Sequence, residues 1–517
     1  MLPFLLFMLT IISFNVNIIM NNIFLLEVLT MNTISVAGKR LIDDNGRERI
    51  FNGINFVYKG IEKDEDGVIR YKTDLTEDVL KALKKKGMNV IRLGLTWAGI
   101  EPEPGKYNTE YLDGYKAILK LCEKHEMYVY VDWHQDLFSW FCMSAGDGAP
   151  QWACLHTKKQ SKQLLIWAEG YFFHKDIHKA FDAFWENKEF EGRGLRDRFC
   201  DMLTFTADYI KDCKCILGYD VFNEPFPGTP GGKMFRDLVK NGVGTILFNK
   251  RVDRKKLIKD ALSKEVMQML SVADDHKVYR GILGKTKDLM YEFDTKRYYP
   301  FLVAAAEAIR KIDKTGIIFS ENCYFSNLGI PCSVPRIVYK DGTREENHIF
   351  SPHGYDITVD PPLPNNASPY RIDFIFDEHK RTQERMDVPV LVGEWGGMVP
   401  GSDEYPALEH LIEKFDNNKW SHTYWHYFGG FENSEIMNVI CRPLPIAVAG
   451  EIKGYSYDRK NREFTLSYTG SSTIKAPTLI YLPSEPKKVY STKGWKYKDN
   501  ILSVYAGKGE CIVKVEL

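Results

Sequence analysis

Two glutamates in this chain stand where a carboxylic acid can do chemistry. Gly218-Tyr219-Asp220-Val221-Phe222-Asn223-Glu224-Pro225 is an apolar run that stops at an acid held between an asparagine and a proline. Proline fixes φ and removes a backbone donor, so it marks where a parallel strand gives way to its loop. Glu224 therefore reads as a catalytic acid at a strand's carboxyl end. Val388-Pro389-Val390-Leu391-Val392-Gly393 repeats the setting and ends in Glu394, followed by Trp395-Gly396-Gly397. A single acid of this kind is as well explained as a turn or helix cap. Two on one barrel face are the minimum equipment for breaking a glycosidic bond, where one carboxyl protonates the leaving oxygen while the other acts at the anomeric carbon.

The elements that must carry these acids alternate. Ile50 to Phe56 reads as a strand, then a helix from Asp74-Leu75-Thr76-Glu77 to Gly87, and a strand from Met88 to Leu95. Tyr111 to His125 is a helix, and Met127 to Trp133 a strand whose end collects His134, Gln135 and Asp136. Helix 195–211 precedes the Glu224 strand, and helix 301–313 precedes strand 315–321. His348 to His353 is strand-like, Tyr370 to Arg385 leads to the Glu394 strand, and Leu408 to Phe415 leads to Ser421 to His426. Eight such units predict an α/β fold, a (β/α)₈ TIM barrel. From Cys441 onward, short alternating strands such as Phe464 to Tyr468 and Cys511 to Val515 predict an all-β sandwich packed on the barrel. The domains expected are a leader at 1–31, a barrel at 32–440 and a sandwich at 441–517.

At 517 residues there is room for a large core, and 69 Lys+Arg against 69 Asp+Glu give no bulk charge to favour nucleic acid. Ten cysteines contain no C-x-x-C pair, which weighs against a zinc ribbon. Cys142 with Cys154, and Cys323 with Cys332, bracket loops and are the disulfide candidates of a secreted chain. The apolar opening, with Lys39 as the first basic residue, reads as a signal peptide or hydrophobic anchor, and Asn366-Ala367-Ser368 as a glycosylation sequon. The expected location is outside the cell or in a secretory or lysosomal lumen. Two stretches, 138–195 and 227–299, exceed ordinary loops and hang over the face that carries the glutamates. Charged pieces of the second read as solvated helices. Aromatics of the first, Phe138, Trp140 and Trp152, read as lining for an apolar groove.

Collected by strand end, Arg92, His134, Asn223, Glu224, His353, Tyr355, Glu394 and Trp425 resemble the active-site set of glycoside hydrolase family 5. The fit extends to Asn52-Gly53-Ile54-Asn55 with Lys59, Asp132-Trp133-His134-Gln135-Asp136, Gly148-Ala149-Pro150-Gln151-Trp152, Ser351-Pro352-His353-Gly354-Tyr355 and Cys441-Arg442-Pro443-Leu444-Pro445. Within the family these pieces look like the endoglycoceramidases and their glucocerebrosidase-like relatives. The resemblance implies a retaining hydrolase that separates glycan from ceramide in a glycosphingolipid, with Glu224 as acid/base and Glu394 as nucleophile. Arg92 and Tyr355 would donate to Glu394, and Asn223 to the sugar 2-hydroxyl. His134 and His353 would complete the network, Trp425 would floor the sugar, and Lys59 and Asp136 would bind it. The expected partners are the glycolipid and, transiently, a membrane surface or micelle; no cofactor, metal or nucleic acid is expected. A glucosylceramidase, a steryl-glucosidase or an endo-β-glucanase of the same fold is the enzymatic alternative. An inactive carbohydrate- or lipid-binding protein is the alternative of another class.

Overall fold

The computed structural model describes residues 31–163, 166–263, 266–359, 366–401 and 405–517. The expected leader lies outside them. Eight parallel strands form one sheet: Asn52–Val57, Val90–Leu95, Tyr128–Trp133, Ile216–Asp220, Ile317–Ser320, His348–Phe350, Leu391–Val392 and Ser421–Tyr424. Neighbours in space are neighbours in sequence, and the eighth strand returns to pair with the first. The remaining seam is bridged by Phe350 with Val390 and by a short parallel pair, His353–Gly354 with Glu394–Trp395. The expected barrel is therefore present.

Barrel strands are buried on both faces, which is why they read as continuous apolar runs. The helices between them are one-sided. Glu77–Lys85 buries Leu80 and Leu83, starts on the Thr76 hydroxyl, which accepts from the Val79 N–H, and carries acids in its first turn and lysines in its last. Helices Thr109–Lys124, Leu195–Ile210, Tyr299–Arg310, Pro369–Met386 and Pro406–Asn418 fall within a few residues of their predicted spans. The first long insertion is mostly irregular, with helices Glu169–Phe173 and Lys175–Trp185, whereas the second is largely helical and contains Thr229–Phe248, Arg254–Leu262 and His276–Leu283.

The sandwich differs from its predicted boundary. Ile34–Ala37, Arg40–Asp43 and Glu48–Arg49 join Leu444–Val448, Thr478–Tyr481, Ile501–Val504 and Trp495–Lys498 in one sheet. Arg49 is the register partner of Ala447. Residues 34–49 thus belong to the sandwich sheet and not to the barrel sheet: the three strands pair with one another, and Glu48–Arg49 pairs with Leu444–Val448. Facing this sheet is Gly450–Asp458, Glu463–Gly470, Gly509–Glu516 and Lys488–Ser491, with Leu466, Ile480, Leu502 and Val513 buried between. Arg442 joins the two modules through a buried ion pair with Asp416 of the helix before the eighth barrel strand, its Nε 2.8 Å from the carboxylate.

All ten cysteines are free thiols. The disulfides considered for Cys142–Cys154 and Cys323–Cys332 are not formed; Cys142 contacts the Thr157 hydroxyl at 3.1 Å. Among the described residues, no helix is long and apolar enough to cross a membrane.

Candidate active site

The hub is Arg92, fully buried in the second strand. Its guanidinium donates to Glu394 Oε1 at 2.6 Å, Glu321 Oε1 at 2.7 Å, Asp132 Oδ1 at 2.9 Å, Asp220 Oδ2 at 2.9 Å and Asn223 Oδ1 at 2.9 Å. Register explains the gathering. Asp132 pairs with Asp220 across strands three and four, and Asp220 with Phe319 two residues before Glu321. A planar cation with five donors is the side chain that can serve so many acceptors.

The chain leaves the fourth strand at Asp220, and Asn223 donates its N–H to Trp133 O at 3.1 Å. Glu224 then takes φ +40°, a left-handed conformation uncommon for a residue with a Cβ. Its N–H is held by Glu321 Oε2 at 2.6 Å. Its own Oε1 accepts from Asn327 Nδ2 at 2.6 Å and lies 3.0 Å from His353 Nδ1. Glu394 receives Arg92 on one oxygen and the Tyr355 hydroxyl, at 2.9 Å, on the other. An oxygen of Glu224, an oxygen of Glu394 and a ring nitrogen of His353 lie within 4.8 Å of one another. Gly393 permits this approach, since a Cβ there would come 2.7 Å from His353 Nε2.

Burial pushes the Glu224 carboxyl up to about 7 against the opposing pull of His353, and the charges of Glu394 and Asp136 add to the rise. Burial opposes the charge on Glu321 too, but His353 and Arg92 outweigh it and hold that acid below its usual range. Asp220 is driven well above its usual range by burial and by Glu321. Glu321 and Asp220 can therefore differ in charge although they share one cation.

A second cluster adjoins the first. Lys59 is ion-paired to Asp136, lies 3.7 Å from Asp147, and sits 4.8 Å above the Trp425 ring. His134 lies parallel to that ring at a centroid distance of 5.5 Å, and His426 meets it edge-on at 5.0 Å. His134 Nδ1 lies 2.8 Å from Asp132; burial works against its charge, but Asp132 and Asp136 lift it to about 10. Asp147 is pushed up to about 6, chiefly by burial.

All ten candidate residues are thus in these two connected clusters. Asp136 makes an ion pair with Lys59, beside His134 and Trp425. Asn223 donates one amide hydrogen to Gln135 O at 2.9 Å, and its oxygen takes Arg92. Phe138 is a correction: it is buried against Phe181 and Phe184 and is not part of an open surface groove. Trp152 is half-buried against Trp97 and Phe190, and Trp140 alone of the three is exposed. Glu321, Asp220, Asn327 and Asp147 were missed. Glu321 ends an apolar strand just as Glu224 and Glu394 do, so the same signal could have found it. Three groups could present ligand atoms to a cation: His134 with Asp136 and Asp147, Asp220 with Glu321 and His353, and Glu224 with His353 and Glu394. Each already contacts Lys59 or Arg92.

Residues 51–258 and 292–429 match the model of the cellulase family, glycosyl hydrolase family 5, and residues 442–506 match the C-terminal domain of that family. The chain is 25% identical over 503 residues to an endoglycoceramidase of Hydra vulgaris, covering 89% of this chain and 81% of the other. It is 22% identical over 471 residues to endoglycoceramidase I of Rhodococcus hoagii, covering 87% and 80%. Endo-glycoceramidase II from Rhodococcus sp., solved with a cellobiose-like imidazole, shares the fold with a TM-score of 0.70 at 22% identity over 92% of this chain and 99% of that one. Sterylglucosidase 1 of Cryptococcus neoformans does so with a TM-score of 0.68 at 16% identity, over 94% and 97%.

Proposed function

The chain belongs to glycosyl hydrolase family 5, and from that premise we propose that it is a retaining hydrolase cutting between the glycan and the ceramide of glycosphingolipids. The observation that carries the chemistry is the pair of buried carboxylates, Glu224 and Glu394, with oxygens within 4.8 Å, the spacing class of retaining enzymes. Glu394, gripped by Arg92 and Tyr355, attacks the anomeric carbon. Glu224, which keeps its proton to about pH 7, gives that proton to the leaving ceramide oxygen. A water then attacks the glycosyl ester, and Glu224, now the base, takes its proton.

Substrate class rests on the relatives. Those named endoglycoceramidase align along nearly the whole chain, whereas a yeast ergosteryl-beta-glucosidase aligns over 31% of it. Lys59, Asp136 and Trp425 hold the sugar beside the bond to be cut, and the ceramide leaves past the insertion-rich rim. A transient contact with the membrane or micelle that holds the lipid is part of this reading.

The deciding experiment offers the purified protein lactosylceramide, a ganglioside, glucosylceramide, a sterol glucoside and a soluble cellulose derivative. Intact oligosaccharide and ceramide are the expected products from the first two. Release of single sugars only, or preference for the soluble glucan, overturns the substrate assignment and leaves the family untouched.

A further inference from the structure

The insertion after the fourth strand carries an outward surface that the reaction does not use. Helix Thr229–Phe248 begins five residues after Glu224 and spans about 30 Å at 1.5 Å per residue. One side packs against other helices of the insertions: Met234 is buried, and Asn241 and Thr245 lie against Gly284 and Gly281. The other side shows Val239, Val243 and Leu247, four residues apart, and ends in Phe248, which is 82% exposed. The next helix, Arg254–Leu262, turns Ile258 and Leu262 outward, the latter 81% exposed. Phe173 of the first insertion, 62% exposed and edge-on to Phe235, extends the same apolar area.

Charge says what covers it. Residues 229–263 contain nine Lys and Arg against three Asp and no Glu, in a chain whose net charge is zero. Lys255 and Lys259 are exposed beside Ile258 and Leu262, and Lys240 beside Val239 and Val243. An outward apolar face rimmed by cations is the composition that lies in the plane of a bilayer interface, with the apolar side chains below the headgroups and the cations among anionic ones. A second copy of this chain would instead bring like charges together.

We propose that helices Thr229–Phe248 and Arg254–Leu262 form a docking surface for anionic lipid bilayers, which holds the barrel mouth at the membrane. Its use in catalysis rests on the lipid substrate proposed above; the binding itself does not.

The test is cosedimentation of the full chain with vesicles of phosphatidylcholine, alone or with phosphatidylserine. Binding is expected to the second kind and to weaken with added salt. Leu247→Glu with Phe248→Glu should weaken partitioning at least about tenfold, since two apolar side chains that would sit below the headgroups become anionic. Lys255→Glu with Lys259→Glu, on an exposed helix where misfolding is not an issue, should weaken it several-fold. Both pairs should keep wild-type rates on a soluble aryl β-lactoside and lose rate on glycolipid held in vesicles. Equal binding to the two vesicle types, or binding indifferent to both variant pairs, overturns the proposal. So does a concentration-dependent dimer that Leu247→Glu with Phe248→Glu dissolves. Lipid binding that responds to the variants in a protein unable to cut glycolipid would sink the substrate reading and leave this surface standing.

Discussion

Glu224 and Glu394 have the same side chain in different surroundings, and the difference sets the pH behaviour. Glu224 must be protonated to act, so kcat/KM should fall as pH rises through about 7. The same shift has a thermodynamic face. A folded-state value of about 7 against an ordinary 4.5 contributes stability that is complete below about 4.5 and lost as pH rises through 7. Glu224→Gln should therefore melt with the wild type near pH 4 and above it near pH 8, by roughly 2–4 kcal/mol, while losing the acid step. Equal melting at both values would remove the raised carboxyl. Glu394→Gly should abolish turnover, and azide or formate should restore cleavage of activated glycosides; near wild-type activity would exclude Glu394 as the nucleophile. Asp136→Asn should lower kcat/KM by about 10- to 100-fold, the worth of one hydrogen bond to a charged group, in a protein that still folds and melts cooperatively. Equal loss of folding and activity would make the Lys59 pair structural. These residues were readable in sequence because polar groups in apolar strands are rare and their types matched one set. The partners that tune them were not: Asn327 lies in a short turn of helix after the fifth strand, where nothing in the sequence says that its amide reaches Glu224.

Arg92 fastens the ends of strands three, four, five and seven through Asp132, Asp220, Glu321 and Glu394. Removing the cation strands several buried acids, and breaking even one buried pair costs about 3–5 kcal/mol. Arg92→Met should therefore lower stability by at least that amount in denaturant titration, and Arg92→Lys should not rescue it, since an ammonium cannot fork to that many acceptors. Full rescue by lysine would mean that charge alone suffices. The strands themselves were legible as apolar runs, and the helices as one-sided stripes. The insertions were legible only in outline. In an irregular loop there is no period to say which aromatic turns inward, and so Phe138 and Trp140, two residues apart, could not be told apart.

The two ends of the protein share one sheet. Arg49 and Ala447 are neighbours in space and about 400 residues apart in sequence, a pairing that composition and periodicity cannot reveal, which is why the sandwich was read without its first three strands. A chain ended after Cys441 would leave Glu48–Arg49 without its partner Leu444–Val448 and Ile50 without the core it joins. Such a truncation should be insoluble or inactive when expressed; recovery of wild-type kcat/KM from a soluble barrel would overturn that expectation.

A ribosome meets this sheet as a matter of time. Residues 34–49 emerge early, and the strand that must receive Glu48–Arg49 emerges about 400 residues later. At 5–20 residues per second the wait is roughly 20–80 s. Only at the close of that interval, once Ser421–Tyr424 has been made, can a finished barrel stand beside an amino-terminal edge at Glu48–Arg49 that still lacks its partner, so nascent chains should be most open to strand-capturing chaperones, and to each other, just before Leu444–Val448 arrives.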